Sequence, residues 1–144
     1  MRRLVFIAFL AAVVAGCGGE SEGEKDREGE SGRGTVTCEG SATSGDLGLP
    51  ADFPQLEGIT FVKSEQTGPT RVVDGYADRG LEDLYDDFES EFKSADYEIL
   101  FDEREEDDAE ISYRTPDEAS EGQVALRSCD EDKTSVHITN RPGD

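Results

Sequence analysis

His137 is the only histidine of the chain, and Cys17, Cys38 and Cys129 are its three cysteines. Thiol, imidazole and soft-metal chemistry must pass through these four side chains. No known catalytic frame surrounds them: the sequence has no Gly-rich phosphate loop, no Gly-x-Ser-x-Gly elbow and no His-Glu-x-x-His. His137 sits in Ser135-Val136-His137-Ile138-Thr139, in phase with the polar positions, which reads as a surface histidine rather than a base for a serine. A zinc site built from Cys38, Cys129 and His137 would lack any Cys-x-x-Cys spacing. The acidic run DEREEDDAE, Asp102 to Glu110, offers the oxygens that calcium takes. It lacks the glycine and spacing of an EF-hand loop and falls where two strands should connect, so it reads as a solvated hairpin. Arg114, Arg127 and His137 occupy polar strand positions beside Glu98 and Glu110. They either pair with acids across the strands or form a shallow anion- or peptide-binding face. No catalytic residue, metal or cofactor is expected.

Those positions acquire meaning from the elements that carry them. Gly45 to Pro54 holds prolines at 50 and 54 and reads as an irregular lead-in. Ile59 to Ser64 and Thr70 to Ala77 are strand-like, and Thr67-Gly68-Pro69 supplies a turn between them. In Gly80 to Ala95, the residues Leu81, Leu84, Tyr85, Phe88 and Phe92 recur at helical spacing, with acids on the other side. Glu82 and Asp83 suit the positive end of that helix. The period then drops to two. Tyr97, Ile99 and Phe101, then Ile111 and Tyr113, Val124 and Leu126, and Val136 and Ile138 mark the apolar faces of four successive strands. Cys129 to Thr134 reads as the tight turn before the last of them. One apolar helix stripe and one apolar sheet face predict a two-layer α+β sandwich, one helix on an antiparallel sheet, in the order ββαββββ.

The N-terminus is organised differently. Arg2 and Arg3 precede twelve apolar residues, Leu4 to Ala15, a run shorter than the about 20 needed to span a membrane. Val14-Ala15-Gly16-Cys17 closes it and resembles the lipobox of bacterial lipoproteins. The resemblance implies a signal peptide over residues 1–16, and because the apolar run follows Arg2-Arg3 at once, without the rest of a twin-arginine motif, general secretion is the expected route. It also implies a diacylglyceryl group on the thiol of Cys17, cleavage just before that residue, and acylation of the new N-terminus with chains such as palmitate. Two or three acyl chains, at about 0.8 kcal/mol per buried methylene, hold a small protein on a membrane surface. The expected location is the cell membrane, lipid-anchored on its extracytoplasmic side, with lipid as the partner of Cys17.

Residues 17–34 then form a tether. Glu20 to Gly34 has six acidic and three basic residues, four glycines, two serines and nothing apolar, a composition that predicts disorder. Residues 35–144 are long enough for one domain. Export places Cys38 and Cys129 in an oxidising compartment, and with Cys17 acylated they remain as an even pair. A bridge between them is expected, against the rival reading of two free thiols. It would close a loop of about 90 residues, worth about 4–5 kcal/mol in the chain-entropy account.

A second resemblance covers most of residues 49–142. A lead-in LPADFP, a hairpin, a helix carrying Tyr and Phe, and a strand opening ADYEIL are similar to small exported bacterial domains of unknown function. That implies a fold but no chemistry. The helix here ends Ser94-Ala95-Asp96-Tyr97, where such domains often place a glycine before the aromatic. Charge narrows the partners. Without the leader's two arginines, 35 acidic residues face 12 basic ones, a balance of −23, which repels nucleic acid and anionic headgroups. The reading that follows is a membrane-anchored envelope lipoprotein with a non-enzymatic binding domain and an envelope partner. The alternative is an envelope enzyme or enzyme inhibitor with an unrecognised site.

Overall fold

A computed structural model describes residues 36–130 and 132–143. The leader, Cys17 and the tether lie outside the described residues. Among the described residues no helix is long and apolar enough to cross a membrane.

The domain is a two-layer α+β sandwich in the expected order. Strands β1 (Ile59–Thr67) and β2 (Thr70–Ala77) form the hairpin, and α1 (Leu81–Ser94) follows. Strands β3 (Glu98–Arg104), β4 (Asp108–Arg114), β5 (Ser120–Asp130) and β6 (Lys133–Pro142) then run as a meander. All neighbours are antiparallel, and the spatial order is β1-β2-β6-β5-β4-β3. The last strand is therefore central: β6 joins the hairpin to the meander by pairing with β2.

The helix stripe buries as its spacing requires. Leu81, Leu84, Tyr85, Phe88 and Phe92 are all buried against Val73, Ile111, Tyr113, Val124, Leu126, Val136 and Ile138 of the sheet. The helix ends without a glycine because Asp96 itself takes the left-handed conformation, at φ 59°. Aspartate tolerates that conformation better than most residues. The Tyr97 N–H then donates to the Phe92 carbonyl at 2.9 Å, closing the last turn.

The lead-in does more than connect. Phe53 is buried, and its ring stands edge-on to Phe92 at 5.6 Å, Tyr113 at 5.6 Å and Tyr97 at 6.5 Å. Such edge-to-face contacts suit the quadrupoles of aromatic rings. Tyr113 crosses this cluster and places its hydroxyl against Thr139 and Asn140 at 3.2 and 3.1 Å. A side chain on its strand neighbour Gly122 would collide with that hydroxyl and with the Thr139 carbonyl.

Three bulges break the period of two. Between Ile99 and Phe101 the β3–β4 register shifts by one residue, so that Phe101 pairs with Ser112 and Asp102 with Ile111. Phe101 therefore does not continue the apolar face of Tyr97 and Ile99. It stands on the other face, 49% exposed, while Asp102 turns to the helix side and accepts a hydrogen bond from the Tyr85 hydroxyl at 2.8 Å. Burial first, and then this carboxylate, push the Tyr85 phenol up to about 12. A second bulge lies between Phe61 and Lys63, and a third between Ser128 and Asp130. The third makes Cys129 the extra residue, without a register partner on β6.

Candidate functional site

The helix covers one face of the sheet and leaves the other, outer face open. Register places its residues in rows running across the strands. Tyr76, Ser135, Arg127 and Asp108 form one row; Lys63, Asp74, His137, Ala125 and Glu110 form the next. Val72, Thr139, Gln123, Ser112 and Phe101 follow, and Arg141, Glu121, Arg114 and Glu98 form the last.

One end of this face is covered by the chain's own N-terminal segment. The Thr37 N–H donates to Ser135 Oγ at 3.0 Å, and the Tyr76 hydroxyl donates to the Gly40 carbonyl at 3.1 Å. The Thr43 N–H reaches the Phe61 carbonyl at 2.7 Å. Beyond it the chain turns round the β1 edge, where the Leu47 carbonyl accepts from Ser64 Oγ at 2.7 Å, and Leu47 and Leu49 pack against the core. Cys38 and Cys129 are disulfide-bonded with α-carbons 6.2 Å apart, which fastens this strap to the β5 bulge. The bond also removes both thiols from the metal and free-thiol readings. Among the described residues, no three His, Cys, Asp or Glu side chains converge as a metal site requires.

Beside the strap lies a pair that alternation alone did not single out. Asp74, buried on β2, faces His137 across the β2–β6 ladder with Oδ1 and Nδ1 2.6 Å apart. A carboxylate there holds the proton on Nδ1 and leaves Nε2 as the free ring nitrogen. Among the described residues no hydroxyl or thiol bonds to Nε2. The signal was present: an acid at Asp74 flanked by Val72, Val73, Gly75 and Tyr76 within the strand. Next to it, Glu65 bonds Lys63 at 2.8 Å and, with the more distant Asp74 charge, holds its ammonium above the ordinary lysine range.

The three residues expected to form a binding face all lie on this face, but not together. His137 and Arg127 occupy adjacent rows, and Arg127 is cross-strand from Asp108. Arg114 sits in the last row, three rows from Arg127, held by Glu98 at 3.0 Å and Glu121 at 3.9 Å. Arg141 also pairs with Glu121. Between these ends the outer face opens into a shallow trough of about 260 Å³, whose lining includes Leu100, Ser112, Gln123 and Thr139 and the charged Glu121 and Arg141. Leu100 and Phe101 stand at its β3 end, 43% and 49% exposed, the two large apolar side chains that β3 leaves in water.

A wider cleft of about 1010 Å³ lies at the other end of the molecule, between the start of α1 and the β3–β4 turn. Acids line it, and Arg104 within it pairs with Asp86 at 3.0 Å and stacks over Tyr85 at 5.2 Å from the ring centre. The DEREEDDAE run is the hairpin expected of it: the Glu105 N–H donates to the Asp108 carbonyl at 2.8 Å. No family model matches the chain, and no curated protein matches it.

Proposed function

We propose that the protein is a lipid-anchored envelope lipoprotein, held through Cys17, whose domain offers its outer sheet face to a partner in the envelope. The observation that carries the reading is the division of that face. The strap covers one end, and the trough with Leu100 and Phe101 is open at the other. Apolar side chains in water beside hydrogen-bonding groups, with the charged pair Arg141 and Glu121 at the rim, are what a contact surface consists of. The Val14–Cys17 sequence supports the anchor.

A photo-crosslinking residue at Ser112 or Gln123, in the trough, should give discrete adducts in cells. The same residue at Glu91, on the exposed side of α1, should not. Equal labelling from both faces would refute the reading. A second reading, an envelope enzyme, draws on the Asp74–His137 pair, since a carboxylate-held imidazole is the arrangement of a general base. Adducts that persist with His137→Ala favour the contact surface.

A further inference from the structure

The two edges of the sheet are treated differently. The β1 edge is occupied by the strap, through Thr43 and then Leu47. On β3, every residue but Ile99 is exposed. The hairpin bond from Glu105 to Asp108 fixes the phase of its backbone. Counting back along the antiparallel ladder, Glu103 and Phe101 pair inward with β4, whereas Asp102 and Arg104 direct N–H and C=O groups outward. Two backbone stations, two residues apart, are thus unpaired beside Phe101.

We propose that this free edge takes an extended cationic segment of a partner protein as a seventh strand. The inference deepens the contact-surface reading and rests on it. Charge selects the occupant. Among the described residues, Glu103, Glu105 and Glu106 have no cationic partner, and the single base of the strand, Arg104, is taken by Asp86 and Glu82. A second copy laid antiparallel on this edge would set these acids against their own kind, in a chain of formal charge −21. A basic strand meets the opposite sign. Register gives its pattern as well: antiparallel to β3, successive outer-face residues meet Glu105, Glu103 and Phe101, so they read basic, basic, apolar. Main-chain bonds supply the docking and the alternate side chains the choice.

The probe is a labelled peptide containing Lys-Thr-Lys-Thr-Val-Thr, titrated by fluorescence anisotropy into the full chain in mild detergent. Binding should weaken at least tenfold when the peptide amides that face β3 are N-methylated, and at least tenfold with Phe101→Ser. Amide exchange at Asp102 and Arg104 should slow on binding. Equal affinity of the methylated peptide would reduce the effect to charge alone and overturn the proposal. So would a concentration-dependent dimer protecting the same amides, which would make a second copy the occupant. Trough crosslinks at Ser112 without peptide binding overturn the edge and leave the contact surface standing; absence of both overturns both.

Discussion

Replacing Phe53 with alanine tests whether the irregular lead-in belongs to the core. Its ring is 2% exposed and touches three other aromatic rings. Removal of a buried phenylalanine costs about 3–5 kcal/mol, depending on how far the site collapses. Phe53 comes from a segment without regular hydrogen bonding, which can follow the cavity inward, so the lower figure of about 3 kcal/mol applies. In urea, at a slope of about 2 kcal/mol per molar, the midpoint should fall by about 1.5 M with the slope unchanged. Phe101→Ala is the control, since the bulge leaves that ring 49% exposed; it should shift stability by less than about 0.5 kcal/mol. A Phe53→Ala midpoint within error of the parent would refute the place of the lead-in in the core. A large loss from Phe101→Ala would refute the register assigned to β3.

On the helix, Phe88→Ala should cost about 3–5 kcal/mol and Glu89→Ala less than about 0.5 kcal/mol in the same melts. Thiol titration of the unfolded, unreduced chain lacking Cys17 should find no free thiol, and Cys38→Ser should release the strap, seen as faster amide exchange at Thr37 and Thr43. Burial raises the phenols of Tyr85, Tyr97 and Tyr113, with Asp102 and Asp52 assisting at the first two. Their folded values lie above the unfolded value near 10, so this stabilisation is complete below pH 10 and is lost as pH rises through the folded values. Spectrophotometric titration should show the Tyr85 phenolate near pH 12, and Asp102→Asn should lower it. Cys17→Ser should abolish acylation and the cleavage before residue 17, read by mass; an unacylated parent chain beginning elsewhere would refute the anchor.

The helix was legible because its five apolar residues share one face and nothing inserted disturbs a period of 3.6. Strands β4 to β6 were legible for the same reason at a period of two. At Leu100 the alternation misleads: Tyr97, Ile99 and Phe101 alternate perfectly in sequence, yet one extra residue in the ladder reverses the phase. Alternation cannot detect a bulge, because the bulge is a property of the pair of strands. The pairing of β2 with β6 was likewise invisible, since it joins segments more than 50 residues apart. Asp74 escaped notice because its partner, His137, lies across that pairing. The bridge was legible from the parity of the cysteines, but the strap's course was not, since it rests on single hydrogen bonds to Ser135, Tyr76 and Phe61.

The Cys38–Cys129 bond also sets how the domain transmits mechanical load. It closes a covalent ring from residue 38 to residue 129 that contains five of the six strands and leaves β6 outside. Tension arriving from the N-terminal side reaches Cys38 and crosses directly to the β5 bulge, bypassing the strap, the hairpin and the helix. The 91-residue separation, about 330 Å of extended chain at about 3.6 Å per residue, is withheld from stretching while the bond is intact. Of the six strands, only β6, drawn from between β5 and β2, can lengthen under force while the bond holds. Reduction of one bond would make the whole domain extensible.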